Sequence, residues 1–379
     1  MTARFRREVT PRQRGTAFME IFDAMRQHGH EQLIFNFDEA TGLKAIIAIH
    51  NTTLGPALGG CRMRAYDTED EAVLDALRLS QGMTYKSAAA GLDYGGGKAV
   101  IIGNPATDKN EALFRALGRF LETLGGRFVT GEDVGTDGDD FVYASRETDY
   151  LVGLPPGYGG SGDSGDLTAL GVVQAIRAGL QHAFGDPSPA GRRVVVQGLG
   201  KVGRHVVRRL VEAGAEVLVA DIDPQAVGTI TAQYGVEPVD PWSVVETRCD
   251  VFSPCALGNV VTPETVGRFQ CRIIAGSANN QLSEETMGDL LRARGILYAP
   301  DFIANAGGLL QMADERQGYR AERAEHRVEG ILDFLLTLYR ESDERQMATN
   351  RLALTLVEER LSLYHRIHRI WADGAHHTR

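Results

Sequence analysis

The chain is short of the features that mark proteins for a metal cage, a disulfide scaffold, nucleic acid or a membrane. It has only four cysteines, Cys61, Cys249, Cys255 and Cys271, and no two stand in C-x-x-C spacing. A zinc cage or disulfide framework is therefore not expected, no metal site is assigned, and the thiols read as buried groups in a reducing cytosol. Basic residues number 40 against 50 acidic ones, a formal charge of −10. That balance argues against a sequence-independent grip on nucleic acid or on an anionic membrane, since both need a basic face. No apolar run approaches the length of a membrane span, and the N-terminal "MTARFRREVTPRQRG" is basic without an apolar core, which reads as a frayed tail. A cytoplasmic protein with small-molecule partners is expected. A P-loop is lacking too. "YKSAAAGLDYGGGKAV", residues 85–100, has Leu92 where the motif needs a glycine and Ala99 where it needs Ser or Thr.

What the chain has is an ordinary globular composition, 43% hydrophobic and 24% charged, without repeats or low-complexity tracts. Its length suits two domains, with one large domain the alternative. In the first third, "QLIFNFD" and "KAIIAIH" flank a turn at Gly42 and predict a hairpin. "EDEAVLDALRLSQGM" places Val73, Ala76, Leu77 and Ser80 on one helical face, which leaves Lys86 just beyond a helix end. After three glycines, "AVIIG" predicts a short buried strand, "NEALFRALGRFLETLG" a helix, and "RFVTGEDVGT" a strand running into a loop with Asp133 at its end. "GLPPGYGGSGDSG", residues 153–165, is the strongest linker or hinge candidate.

These signals predict an α/β fold of two domains: residues 1–150 as a mixed α/β substrate-binding and oligomerisation domain, and 151–331 as a Rossmann-like, doubly wound nucleotide-binding domain. The charged helical stretch from about Glu322, and in particular residues 332–379, is expected to pack back on the first domain.

Within the second unit, "VVVQGLGKVGRHVVRRLVEAGAEVLVADID" carries Gly198, Gly200 and Gly203 as G-x-G-x-x-G between a strand and a helix. The next strand ends in Asp221, 18 residues after the last glycine, where a carboxylate accepts hydrogen bonds from an adenine-ribose diol and repels a 2′-phosphate. NAD is therefore favoured over NADP. A glycine turn that only lets helix and strand pack is the bland alternative. "AGSANN" ends in Asn279 and Asn280, suited to a nicotinamide or substrate, or equally to an Asx-type turn.

Lys86 and Lys98 suit a hydride-transfer enzyme acting on an anionic substrate. Two ammonium groups in a partly desolvated cleft lower one another's pKa, so that one can bind a carboxylate while the other acts as a base, with Asp133 exchanging a second proton. Taken singly, each lysine would read as a solvated surface charge and Asp133 as a turn former.

"LGPALGGCRM", "GMTYKSAAAGLDYGGGKAVIIG", "RFVTGEDVGT", "GLGKVG", "IAGSANNQL" and "YAPDFIANAGGLLQMADE" together resemble the glutamate, leucine, phenylalanine and valine dehydrogenases, in order from about residue 32 to at least 320. Within that family the chain is most similar to the phenylalanine branch, notably in "GGCRM", "RFVTG", "YGGSGDS" and "NAGGLLQMADE". The resemblance implies reversible, NAD-dependent oxidative deamination of an apolar L-amino acid, phenylalanine foremost and leucine or valine as alternatives, to its 2-oxo acid and ammonia, by a homo-oligomer. It implies that Lys86 binds the substrate carboxylate, Lys98 activates water, and Asp133 exchanges protons with the amine. Gly59 and Gly60 would present backbone to the substrate, and Leu58, Gly131, Leu309 and Met312 would line its side-chain pocket. Thr168, Lys201, Val202, Ala256, Asn279 and Asn280 would join the glycines and Asp221 around NAD. The basic N-terminal extension lies outside the family's shared core. Gly131 departs from the alanine expected of a leucine enzyme, and the missing methyl is expected to leave room for a ring. A regulator that binds NAD without turnover is the rival class, against which the intact Lys86, Lys98 and Asp133 argue.

Overall fold

The computed structural model describes residues 19–368, with side chains of the last helix to Tyr364; the expected frayed tail lies outside the described residues. In chain order the first half contains α1 (Ile21–His28), β1 (Gln32–Asp38), β2 (Leu43–Asn51), β3 (Ala57–Leu58), β4 (Cys61–Arg64), α2 (Glu69–Ala89), β5 (Gly95–Ile102), α3 (Glu111–Glu122), β6 (Phe128–Val129) and α4 (Gly138–Ala144). The second half contains α5 (Gly165–Phe184), β7 (Arg193–Gln197), α6 (Gly203–Glu212), β8 (Glu216–Ala220), α7 (Pro224–Tyr234), β9 (Glu237–Pro238), β10 (Val251–Pro254), β11 (Ile273–Ile274), α8 (Thr286–Ala293), β12 (Leu297–Tyr298), α9 (Asp301–Ala304), α10 (Gly307–Glu315), α11 (Ala321–Glu329), α12 (Ile331–Arg345) and α13 (Thr349–His368).

The first sheet runs β1-β2-β5-β3-β6, with β4 beside β5. Its hairpin pairs Asp38 with Leu43 and Gln32 with Ile49 around Gly42, whose φ of +74° suits glycine. Alternate residues of β2 and β5 bury to opposite sides. Ile47, Ile49, Ala99 and Ile101 pack with α3, whereas Ile46, Ala48 and Val100 pack with Val73, Ala76 and Leu77 of α2.

The structure departs from two local expectations here. Residue Lys86 belongs to the last turn of α2, which continues to Ala89 because the small residues Ser87, Ala88 and Ala89 stay buried. Nor do the three glycines precede the strand: Gly95, Gly96 and Gly97 are its first three residues. A Cβ at Gly96 would fall 2.1 Å from the Thr84 nitrogen, and one at Gly97 2.6 Å from Phe128 Cδ2. Only glycine lets α2 and the β6 aromatic lie directly on this strand.

The second sheet is wholly parallel, in the order β12-β11-β10-β7-β8-β9. Val194, Val196, Val217 and Val219 bury to one face, and Val195, Leu218, Phe252 and Ile274 to the other, as a sheet covered on both sides requires. Strand order reverses between β7 and β10, the switch point at whose carboxyl ends doubly wound sheets bind their ligands. The chain is thus a two-domain α/β protein.

Of the C-terminal helices assigned to the first half, α13 does reach α2: Arg360 donates to the carbonyls of Ala88 (2.6 Å) and Leu92 (3.1 Å). Helix α12 instead lies on α5, since Leu335, Leu338 and Tyr339 share one apolar cluster with Ala175 and Ala178. No helix among the described residues is long and apolar enough to cross a membrane. Cys61, Cys249 and Cys271 are buried and unpaired, and Cys255 is half-buried beside Ser253.

Candidate active site

Lys98 sits on β5 opposite Ala48, 5% exposed, and its Nζ lies 2.8 Å from Oδ2 of Asp133 just beyond β6. Arg62 of β4 donates through Nε to the same oxygen at 3.0 Å. Desolvation pulls the Asp133 pKa up, but the charges of Lys98 and Arg62 outweigh it and hold the carboxyl down at about 2. Gly60 makes this approach possible, because a Cβ there would stand 2.8 Å from Asp133 Cβ and 3.3 Å from Lys98 Nζ. Gly59 lies flat on β5, where a Cβ would meet the Gly97 oxygen at 1.9 Å.

Lys86 stands at the end of α2, half-buried, against α9 of the second half. Burial lowers its pKa to about 8; Asp301 opposes the fall and Lys98 adds to it. The expected depression is present, then, and desolvation outweighs the mutual repulsion of the lysines. The Asp301 carboxylate accepts N–H groups of Gln281 (2.9 Å) and Phe302 (2.7 Å), and burial raises its pKa. Sequence reading missed Asp301 and Arg62. Both stand inside quoted motifs, "YAPDFIANAGG" and "GGCRM", but an acid opening a helix and an arginine on a strand carry no signal of their own.

Leu58 and Leu309 are buried and Met312 half-buried in the large apolar cluster that also holds Val129 and Val152. Gly131 is a correction. Its absent side chain points at the backbone of Val152, where a Cβ would meet the carbonyl oxygen at 2.3 Å, so the glycine serves a close approach of two chain segments. Its own carbonyl oxygen accepts the Cys61 N–H at 2.8 Å, which ties the same backbone to β4.

At the expected nucleotide turn the three glycines have separable reasons. Gly198 turns at φ +97° and faces Ala256 beyond the end of β10, where a Cβ would stand 2.6 Å from the Ala256 nitrogen. A Cβ at Gly203 would meet the Gly198 oxygen at 1.8 Å. A Cβ at Gly200 would meet nothing within 4 Å, which leaves open space where a pyrophosphate can approach backbone N–H groups. Asp221 directly follows β8 and accepts the Leu199 N–H at 2.6 Å through Oδ2, with further lone pairs for a diol. The residues present therefore fit a dinucleotide.

Val202 packs at the start of α6, half-buried. Lys201 is tied to Glu132 (2.7 Å) and Asp163 (3.3 Å), so it joins the two halves. The hydroxyl of Thr168 donates to the Ser164 carbonyl at 2.8 Å. Asn279 is exposed, with Oδ1 accepting from Asn305 at 2.8 Å; Asn280 adopts φ +51°, so it also serves the turn.

A family model described as "Glu/Leu/Phe/Val dehydrogenase, dimerisation domain" matches residues 30–150, and one described as "Glutamate/Leucine/Phenylalanine/Valine dehydrogenase" matches 159–238 and 219–351. The chain is 48% identical to a leucine dehydrogenase of Thermoactinomyces intermedius, covering 91% of this chain and 94% of the relative. It is 49% identical to a phenylalanine dehydrogenase of the same organism, covering 93% and 96%. Among solved structures it is similar to an L-tryptophan dehydrogenase from Nostoc punctiforme, with TM-score 0.80, 41% identity, and coverage of 91% of this chain and 99% of the other.

Proposed function

The chain belongs to the Glu/Leu/Phe/Val dehydrogenase family, oxidoreductases acting on the CH–NH2 group of amino acids, and accordingly we propose that it catalyses NAD-dependent oxidative deamination of an apolar L-amino acid. The observation that carries the reading is the meeting of Lys98 and Asp133 at 2.8 Å beside Gly60. Lys86, charged below about pH 8, takes the substrate carboxylate. Asp133 exchanges a proton with the amine, and Lys98 activates the water that attacks the substrate imine. Gly59 and Gly60 present backbone to the substrate.

When bound, NAD supplies the acceptor for the α-hydride. Gly198, Gly200, Lys201, Val202, Gly203 and Asp221 would hold its phosphates and adenine ribose, and Thr168, Ala256, Asn279 and Asn280 would serve its nicotinamide. The apolar character of Leu58, Leu309 and Met312 favours an uncharged side chain, since a buried distal carboxylate would need a cation. Phenylalanine is the preferred substrate by the likeness of "GGCRM" and "NAGGLLQMADE"; Gly131, packed against the Val152 backbone, lends that preference no support. The match to a dimerisation domain supports a homo-oligomer.

The test is NADH absorbance on incubation with NAD and a panel of L-amino acids, repeated with NADP. Turnover of apolar amino acids with NAD, phenylalanine leading, is expected. Leucine or valine leading would move the assignment within the family, and no reduction with any amino acid would favour the regulator.

A further inference from the structure

Arg62 makes a set of contacts that the reaction as described does not use. Its Nε reaches Asp133 Oδ2 at 3.0 Å and its Nη1 reaches Asp75 Oδ2 at 3.0 Å. Asp75, on α2, is held in turn by the Tyr66 hydroxyl at 2.7 Å and by Arg78 at 2.9 Å. The side chains of Arg62 and Asp75 are only 18% and 12% exposed, so these are desolvated pairs with fixed geometry rather than solvated surface pairs. The contacts of both cations to Asp133, Lys98 Nζ at 2.8 Å and Arg62 Nε at 3.0 Å, converge on Oδ2.

Lys98 has two demands on it in the proposed reaction: the ion pair with Asp133 and the activation of water. When it turns to the water, a carboxylate held by Lys98 alone would be free to rotate. Arg62, by contrast, is anchored at both ends, by its strand and by Asp75. We propose that Arg62 is a positioning residue for Asp133, pinning Oδ2 so that Oδ1 stays presented to the substrate's amino group throughout the reaction. Asp75, Tyr66 and Arg78 fix the far end of the guanidinium. The inference rests on the proposed deamination and extends it to a residue that never touches substrate.

The distinguishing experiment is a kcat-against-KM split with rescue. Arg62→Met keeps the aliphatic stem and removes the fork. It is expected to lower kcat by about ten- to hundred-fold, short of the roughly 10²–10⁴ carried by a proton-transfer group itself. KM for the amino acid, set by Lys86, and Kd for NADH are expected to stay within about threefold. Arg62→Lys keeps the charge and one donor, and is expected to recover part of the lost kcat. Asp75→Asn, which leaves every substrate contact in place, is expected to lower kcat several-fold at unchanged KM, and it carries the test if Arg62→Met does not fold. The proposal is overturned by a kcat for Arg62→Met near that of wild type. It is equally overturned by Arg62→Lys no better than Met, by KM and NADH Kd rising in step with the loss of kcat, or by Asp75→Asn with unchanged kcat. Failure of the functional reading looks different: wild type itself turns over no amino acid, and the inference falls with it.

Discussion

The two lysines differ in what surrounds them, and the difference gives each its own test. Lys86 has a folded-state pKa lowered from 10.5 to about 8, with desolvation the largest cause. It is therefore charged below about pH 8 and loses its charge as pH rises through that value, whereas an exposed lysine would stay charged to about 10. A carboxylate ligand without an amine, such as 3-phenylpropanoate, should bind with constant affinity up to about pH 7.5 and then weaken by about tenfold per pH unit above 8. Calorimetric Kd values across pH 6–10 check this, and affinity flat to pH 10 would remove Lys86 from the carboxylate. The linkage to stability has the matching sign: the cost of burying the Lys86 charge is present below pH 8 and is relieved between about 8 and 10.5. For Lys98 the expected outcome is catalytic. Lys98→Ala should cut kcat by several powers of ten, on the roughly 10²–10⁴ scale of a lost general base plus a displaced water. NAD affinity should stay near that of wild type, and a mutant keeping a tenth of wild-type kcat would exclude the role.

Elements decide what the glycines do, and here the sequence was legible in type and illegible in direction. G-x-G-x-x-G announced the nucleotide turn because strand, helix and acid stood at the right spacing around it. "GGGK" announced nothing of its place. A glycine written in sequence does not say whether its missing side chain faces a ligand, a helix or another strand. Gly96 and Gly97 face Thr84 and Phe128, and Gly131 faces Val152, so the glycines expected before the strand and the glycine expected at the pocket all make packing contacts. The helix end before Lys86 was misplaced for a related reason: Ser87, Ala88 and Ala89 have no strong apolar period, and burial extends the helix through them. Two-sided burial of Val194 to Val196 was readable, in contrast, because continuous β-branched runs suit a parallel strand covered on both faces. Gly200 and Gly203 make the directional point measurable. Gly200→Ala adds a methyl to open space and should leave stability within about 0.5 kcal/mol while weakening NAD binding. Gly203→Ala forces a contact at 1.8 Å with the Gly198 oxygen, and should lower Tm markedly with or without NAD. Thermal melts and NADH fluorescence titrations on the pair separate the effects; equal loss of Tm in both would refute the assignment.

Across the whole molecule, the two halves are joined less loosely than a glycine-rich connection suggests. Glu315 of α10 accepts the N–H groups of Gly153 (2.7 Å) and Ser161 (2.8 Å) together with the Ser161 hydroxyl. Arg316 reaches the Asp149 carbonyl at 2.7 Å, and Lys201 bridges the cleft to Glu132. Met312 and Leu309 lie on the same helix as Glu315, so anchoring the connection also places the two side chains proposed to line the substrate pocket. Glu315→Gln should speed proteolytic cleavage between residues 153 and 161 and change kcat and KM together, as loosened hinges do. Cleavage and kinetics both unchanged would show that the segment holds its shape unaided.

The capping of α2 by Arg360 carries a consequence in time. Arg360 and Ala88 are 272 residues apart along the chain, yet the arginine donates to a carbonyl in the last turn of the helix bearing Lys86. All strands of the first sheet precede residue 130, so on the ribosome that sheet can assemble long before α13 emerges. The nucleotide half likewise completes its strands by Tyr298. Biosynthesis thus completes the strands of both sheets before the end of α2 receives its arginine, and a nascent chain halted before Thr349 holds both sheets while the helix bearing Lys86 still lacks the residue that closes it.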